Sequence, residues 1–198
     1  MAPRFVAQQQ APDFEFVDVN GNKGRLSDIL GEGRRVALVF LRYVGCPICQ
    51  MRFWELEAAI EKYHDAGAEL LVVIQSTPAT MELYQQKKPY KLRVIPDPDR
   101  RLFELYGVQI ATWGEYVNPA GMGASLKATF KGYRHGKWDG VERQKPGAFL
   151  IDTDGRFMLV HYGRGVSDNL GDEEMLVPLR QAAQKTKTAA SSAQGPTS

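Results

Sequence analysis

The stretch VALVFLRYVGCPIC, residues 36–49, decides the fold that we expect for this chain. Its first six residues form an apolar run that is typical of a buried strand. Pro47 favours the first position of a helix, because its fixed φ suits the helix and its missing N–H would have no partner there. Cys46 is then the expected N-cap, and amphipathic spacing continues the helix from Pro47 to about His64. The stretch predicts a strand that delivers a CxxC motif into the start of a helix.

Cys46 and Cys49 are the two cysteines of the 198-residue chain. Unpaired N–H groups and the positive end of the helix dipole stabilise a thiolate at a helix start, which lowers a cysteine pKa below its free value of about 8.5. Two cysteines this close can also cycle between dithiol and disulfide with little backbone movement. The pair predicts a thiol redox site. Cys46, at the N-cap, is expected to have the lower pKa and to attack, and Cys49 is expected to resolve.

Three other interpretations of the pair agree less well with the sequence. A structural disulfide of a secreted protein normally belongs to a larger set of cysteines, and the first ten residues hold no apolar stretch long enough for a signal peptide. A zinc site needs two further ligands, and the three histidines show no metal-binding spacing. Gly45 and Pro47 favour a turn rather than two cysteines packed in a core. We therefore expect no bound metal.

Composition bounds the class of protein and its partners. With 43% hydrophobic and 24% charged residues, the chain is ordinary for a soluble globular domain. A net charge of +2 gives no general attraction to nucleic acid or membranes, and no apolar stretch approaches the ~18 residues of a membrane span. No GxGxxG follows a predicted strand, so we expect no nicotinamide or flavin cofactor. The sequence predicts a cytoplasmic protein that takes electrons from an external thiol reductant of the thioredoxin or glutathione type.

Strand and helix patterns alternate along the chain, which predicts an α/β fold with a mixed central sheet and helices on both faces. The Asn20-Gly21 signal adds an N-terminal β-hairpin. We expect one domain over residues 11–180, a flexible N-terminus at residues 1–10, and a disordered tail at residues 181–198, which lack aromatic and large aliphatic side chains. Strands are expected at residues 14–17, 36–41, 69–74, 93–95, 148–151 and 157–160, and helices at residues 27–30, 47–64, 77–88, 99–106 and 173–184.

Several segments carry a resemblance to a known family, in the family's order. They are APDF at residues 11–14, the hairpin of residues 18–21, the strand and CxxC of residues 36–49, IPDPDR at residues 95–100 and FLID at residues 149–152. The chain resembles the thioredoxin-like superfamily and, within it, the AhpC/TSA peroxiredoxin branch, in particular the CxxC-containing peroxiredoxin-like 2 type. The resemblance implies a thioredoxin-like fold and a thiol-dependent oxidoreductase that reduces peroxides, endoperoxides or disulfides. The alternative is a non-catalytic redox sensor or scaffold that uses the CxxC as a switch.

The chain departs from the peroxiredoxin pattern PxxxTxxC at two of its positions. The proline is replaced by Arg42 and the threonine by Cys46, so the pattern's cysteine falls on Cys49. In that register, Cys49 is oxidised to sulfenic acid and Cys46 resolves it. Pro146 stands where a peroxiredoxin carries its peroxide-binding arginine. Thioredoxins have a cis-proline there, so the resemblance implies that Lys145–Pro146 is a cis bond facing the CxxC.

The resemblance also marks residues 109–145 as an insertion relative to a minimal thioredoxin. The segment combines glycines and aromatic side chains with an excess of Lys and Arg in its second half. Such composition occurs at nucleic-acid sites, but those come with a basic domain charge, which this chain lacks. We expect the insertion to fold over the active site or to form a homodimer contact.

Three further residues lie near the motif or in the last hairpin, and the sequence predicts a place or role for each. Arg42, four residues before Cys46, either lowers a thiolate pKa by Coulomb attraction or reaches solvent. Arg52 is expected to face water. His161 is expected to be a structural histidine rather than a proton donor.

Overall fold

A computed structural model describes residues 4–116 and 119–193. The strands in these ranges are β1 (Glu15–Val17), β2 (Lys23–Arg25), β3 (Arg35–Leu41), β4 (Ala68–Ile74), β5 (Arg93–Pro96), β6 (Gly147–Ile151) and β7 (Phe157–Tyr162). The helices are α1 (Leu26–Gly31), α2 (Pro47–Asp65), α3 (Pro78–Lys87), α4 (Arg101–Leu105), α5 (Trp113–Tyr116), α6 (Pro119–Phe130) and α7 (Asp172–Ala193). Each strand and helix expected from the sequence is present, and most bounds agree within two residues.

The central sheet has five strands in the order β5-β4-β3-β6-β7. Parallel pairs join β3 to β4 and β4 to β5, whereas β6 runs antiparallel to both β3 and β7. β1 and β2 form a separate hairpin, in which Gly21 has a φ of +81° that favours glycine. The predicted mixed sheet and N-terminal hairpin are confirmed.

Alternate residues of β3 point into two different cores. Ala37, Val39 and Leu41 pack against α2 and α7, and the even-numbered residues from Val36 to Phe40 pack against α1, α4 and the hairpin. Both faces of β3 are therefore covered, and all seven of its residues are buried. This places the CxxC at the carboxyl-terminal edge of the most central strand. In the part of the chain that the structure describes, no helix combines the length and apolar character needed to cross a membrane.

The flexible N-terminus predicted for residues 1–10 is wrong for the part that the structure describes. The Gln8 amide donates to the Phe157 carbonyl at 2.8 Å, and the Phe157 amide donates to the Gln9 carbonyl at 2.9 Å. The Phe5 ring lies 5.3 Å from the Phe157 ring, centroid to centroid. Residues 5–10 therefore run along the start of β7, because backbone pairing and one aromatic anchor compensate for the polar sequence. Residues 1–3 lie outside the described residues.

The disordered tail predicted from residue 181 is also corrected, because α7 continues to Ala193. The segment is rich in Ala, Gln and Lys, which are good helix formers even without apolar side chains to bury. A contact with the sheet supports it: Arg35 Nη2 donates to Thr186 Oγ1 at 3.2 Å. The end of the last helix therefore does not coincide with the predicted domain boundary at residue 180, and residues 194–198 lie outside the described residues.

Candidate active site

The CxxC lies where the sequence places it, at the junction of β3 and α2. Cys46 is the N-cap, with φ −80° and ψ 126°, and Pro47 opens the helix. Both cysteines are free thiols and both are buried, with 3% of Cys46 and 5% of Cys49 exposed. Tyr43, Ile48 and Ala124 form the apolar part of their surroundings.

Arg42 points into this site and not into solvent. Its side chain is 5% exposed, and its Nη2 donates a hydrogen bond to the Cys46 sulfur at 2.8 Å. Its backbone carbonyl accepts from the Gln75 amide at 2.8 Å, which fixes the end of β3 against the loop after β4. Of the two roles open to Arg42 from the sequence, the contact with sulfur is the one that the structure shows. A buried guanidinium beside two thiols stabilises a thiolate.

The two thiols titrate as a pair. The hydrogen bond between the two side chains and, after it, the Arg42 guanidinium together lower the pKa of Cys49 to about 6, against the effect of burial. The same hydrogen bond, together with burial, raises the pKa of Cys46. The sequence predicted the opposite order from the N-cap position. The Cys46 side chain makes no capping hydrogen bond to the helix, and its thiol donates to the Cys49 sulfur, so which cysteine attacks stays a prediction for the titration of single-cysteine variants.

The second half of the insertion folds over the sulfurs, as predicted. We call residues 134–142 the covering segment. Its Gly136 amide donates to the Gly45 carbonyl at 2.7 Å, and its His135 Nε2 lies 3.2 Å from the Tyr43 hydroxyl. A Cβ at Gly45 would overlap the carbonyl of Lys137, so the close approach requires glycine there. The covering segment thus packs against the turn before the CxxC, while Ala124 of α6, in the same insertion, packs against the buried cysteines.

Two residues in the loop after β4 make hydrogen bonds to the covering segment. Ser76 Oγ donates to Asp139 Oδ1 at 3.1 Å and accepts from the Val44 amide at 2.9 Å. The Gln75 side-chain carbonyl accepts from the Val141 amide at 2.7 Å. The sequence analysis missed both polar residues, since nothing in the pattern after β4 indicates that its polar side chains turn toward a distant insertion.

Glu142, at the end of the covering segment, was also missed. Its carbonyl accepts a hydrogen bond from Arg42 Nη1, and its Oε2 lies 3.5 Å from the same nitrogen. The Tyr116 hydroxyl donates to that Oε2 at 2.9 Å, and His135 Nε2 lies 3.8 Å from Oε1. Burial raises the pKa of Glu142, and Arg42 opposes the shift. Glu142 therefore faces the Arg42 guanidinium, which contacts the Cys46 sulfur.

Pro146 does not have the predicted cis bond, because every described peptide bond is trans. Trans is favoured for X–Pro bonds in general, and hydrogen bonds hold the chain on both sides of this one. The Lys145 amide donates to the Gln109 carbonyl at 3.2 Å, and the Pro146 carbonyl accepts from the Gly163 amide at 3.0 Å. The Pro146 ring lies against Gly163 at the end of β7. The cis-proline expectation is therefore withdrawn, and a supporting role of Pro146 at the site stays a prediction.

Arg52 and His161 complete the residues named from the sequence. Arg52 was expected to face water but is 4% exposed, and its Nη2 lies 2.9 Å from Asp172 Oδ1. The ion pair with Asp172, the first residue of α7, thereby holds the Arg52 side chain in the interior. His161 Nε2 lies 3.0 Å from the Asp168 carbonyl, a contact between β7 and the loop that follows it, which agrees with a structural role.

Comparison with known proteins places the chain by family and by fold. Residues 7–158 match the AhpC/TSA family. The thiol-disulfide oxidoreductase ResA of Bacillus subtilis (strain 168) is 26% identical over 114 residues, which are 56% of this chain and 61% of ResA. The chain thus spans less than two thirds of that curated relative.

Two solved structures show the fold. Peroxidoxin BcpB from Mycobacterium tuberculosis superposes with a TM-score of 0.62 at 16% identity, over 88% of this chain and 96% of that one. A putative thiol:disulfide interchange protein DsbE from Chlorobium tepidum gives a TM-score of 0.58 at 24% identity, over 90% and 97% of the two chains. The fold is thioredoxin-like. The family match runs from residue 7 to residue 158 and includes β3, the CxxC and β6, which pairs with β3. The chain therefore belongs to the AhpC/TSA family.

Proposed function

We propose that the chain is a thiol-dependent oxidoreductase whose Cys46–Cys49 pair reduces a small oxidised substrate and is restored by an external thiol reductant. One observation carries the proposal: a buried CxxC at a helix start, with a buried arginine 2.8 Å from one sulfur. A lowered thiol pKa, a neighbouring cation and closeness of two sulfurs favour rapid and reversible thiol chemistry. Membership in the AhpC/TSA family favours turnover over the alternative of a non-catalytic sensor.

The chemistry requires one thiolate and one thiol. With a hydroperoxide, the Cys49 thiolate attacks an oxygen of the peroxide, the O–O bond breaks, and the departing alkoxide takes a proton from solvent to leave as an alcohol. The Cys49 sulfenic acid then reacts with the Cys46 thiol, an S–S bond forms, and water leaves. Two electrons pass from the sulfur pair to the peroxide, and the external thiol returns them by disulfide exchange. This order follows the pKa directions of the pair and reverses the roles expected from the N-cap.

The covering segment favours small substrates. With both cysteines at 5% exposure or less, a disulfide in a folded protein does not reach either sulfur unless residues 134–142 move. A hydroperoxide or a low-molecular-weight disulfide needs far less space. We expect reduction of hydrogen peroxide to be slower than in typical peroxiredoxins, because Cys46 and Pro146 occupy the positions of that family's positioning threonine and arginine. Each lost hydrogen-bond donor costs on the order of a hundredfold in rate.

Side-by-side turnover assays test the function. Hydrogen peroxide, an organic hydroperoxide, a small disulfide and insulin are each supplied with thioredoxin or glutathione as reductant. We expect many turnovers with at least one small substrate, less activity with insulin, and loss of turnover in both Cys46→Ser and Cys49→Ser. A wild-type protein that is oxidised once, and that neither reductant returns to the reduced state, would support the sensor instead. A cytoplasmic location and a homodimer stay predictions for cell fractionation and sedimentation.

A further inference from the structure

The buried Arg42 guanidinium contacts two groups that can each carry a negative charge, the Cys46 sulfur and the Glu142 carboxylate. Arg42 Nη2 donates to the Cys46 sulfur, and Arg42 Nη1 contacts both the carbonyl and the carboxylate of Glu142. Its third nitrogen, Nε, is buried and makes no hydrogen bond to any described residue. The guanidinium is therefore divided between the sulfur pair on one side and Glu142 on the other.

Glu142 is itself incompletely satisfied. Its Oε1 is buried and makes no hydrogen bond within the described ranges, while Oε2 accepts from Tyr116 at 2.9 Å. A carboxylate in such a place depends on nearby positive charge to stay ionised. The groups that face it are Arg42 at the end of β3, Tyr116 on α5, and His135 on the covering segment.

His135 does not replace Arg42 as the partner of Glu142. Its Nδ1 lies 2.9 Å from the Gly136 carbonyl, an acceptor, so Nδ1 carries the proton in the neutral ring. Nε2 then accepts from the Tyr43 hydroxyl at 3.2 Å and has no proton to offer Glu142. With the proton on Nδ1, the ring leaves the carboxylate to Arg42 and Tyr116.

We propose that Glu142 and the CxxC sulfurs compete for the Arg42 guanidinium, so that Glu142 is a positioning residue that sets the acidity and the reduction potential of the pair. The proposal rests on the proposed function for its biological use, although its physical content does not need turnover. When the pair is reduced, Arg42 is shared between the thiolate and Glu142. When substrate takes two electrons and the disulfide closes, the sulfur charge disappears, and Glu142 is the remaining anionic partner of Arg42.

The coupling is reciprocal, because Arg42 links the two groups in both directions. An ionised Glu142 disfavours the thiolate, and an ionised thiolate disfavours the Glu142 carboxylate. Oxidation of the pair therefore favours release of a proton from Glu142 to solvent. Neutralising Glu142 has the opposite effect on sulfur: the thiolate gains a larger share of the guanidinium, and the reduced protein is stabilised relative to the disulfide.

The test is a thiolate titration of the reduced full-length protein by ultraviolet absorbance. We expect Glu142→Gln to lower the midpoint of the first thiol ionisation by about one pH unit. Equilibration with a reference dithiol near neutral pH should then shift about tenfold toward the reduced protein, which corresponds to a potential about 30 mV more positive. The matched control is Glu104→Gln, the same change at an exposed carboxylate on α4, and it should move neither quantity.

A second variant keeps the test independent of folding. Tyr116→Phe leaves the carboxylate in place but removes the hydrogen bond that stabilises its charge, so it should shift both quantities in the same direction and by less. A titration in either folded variant that matches wild type, or that moves upward, overturns the proposal. Turnover is measured separately on the wild type. Its absence would refute the proposed function while a shifted titration would still support the competition for Arg42.

Discussion

At the scale of single residues, the site depends on charges that the sequence shows but cannot orient. An arginine at a strand end is most often a solvated charge. Here the covering segment encloses Arg42, so its guanidinium has the Cys46 sulfur and Glu142 as partners in place of water. The hydrogen bond between the two thiols is equally invisible in the sequence, and it favours the thiolate on Cys49, against the order expected from the N-cap position of Cys46.

Single-cysteine variants test the order of the two thiols. Cys46→Ser keeps Cys49, and the serine hydroxyl still donates toward the remaining sulfur, so the rate of alkylation should rise with pH to half its maximum near pH 6. Cys49→Ser keeps Cys46, whose thiolate is desolvated, and its midpoint should lie above that of the protein that retains Cys49. Alkylation by iodoacetamide across pH gives both profiles. A lower midpoint for the protein that retains Cys46 would restore the N-cap assignment and make Cys46 the attacking sulfur.

At the scale of elements, a close backbone crossing joins α2 to the insertion. The turn between β3 and α2 carries Gly45, whose carbonyl binds the Gly136 amide, and the chain at Lys137 leaves no space for a side chain. The glycine before the CxxC is visible in the sequence as a turn signal. Its partner is not, because contacts between segments some ninety residues apart leave no local pattern. The sequence could predict that an insertion covers the site but not which of its residues touch it.

Gly45→Ala tests whether the covering segment controls access to the sulfurs. The new Cβ meets backbone rather than a flexible side chain, so residues 136–137 must move away, at a cost of about 1–3 kcal/mol. We expect alkylation of the thiolate form, measured well above the first thiol pKa, to become several-fold faster. Gly123→Ala in α6 is the control, because a Cβ there has open space, and its alkylation should match wild type. Equal rates in all three proteins would show that the segment does not limit access.

At the scale of the whole molecule, the sequence predicts the sheet better than the ends. Apolar runs such as residues 36–41 and 69–74 indicate strands buried on both faces, and the hairpin signal at Asn20-Gly21 identifies the N-terminal antiparallel pair. Both are local properties. The extended start along β7 and the long α7 depend on contacts such as Gln8 with Phe157 and Arg35 with Thr186, which composition does not reveal. Arg52 was expected to face water for the same reason, because its partner Asp172 lies in a distant part of the sequence.

The buried ion pair between α2 and α7 gives the last prediction. Asp172 Oδ1 accepts from Arg52 Nη2 and from the Tyr63 hydroxyl, each at 2.9 Å, so one carboxylate ties the first residue of α7 to two turns of the helix that carries the CxxC. Among the described residues, Asp172→Ala leaves the buried Arg52 guanidinium with the exposed Glu55, 3.6 Å away, as its ion-pair partner.

Removing one partner of a buried pair is costly, and we expect the free energy of unfolding to fall by about 3 kcal/mol. Glu173→Ala is the matched control, because it removes an exposed carboxylate from the same first turn and an exposed ion pair with Arg180, which contributes no more than about 1 kcal/mol. Denaturant unfolding of reduced protein measures both. Equal losses would mean that the pair fixes the orientation of α7 without stabilising the fold. A larger loss in Asp172→Ala would establish that α7 is attached to the redox helix through this carboxylate.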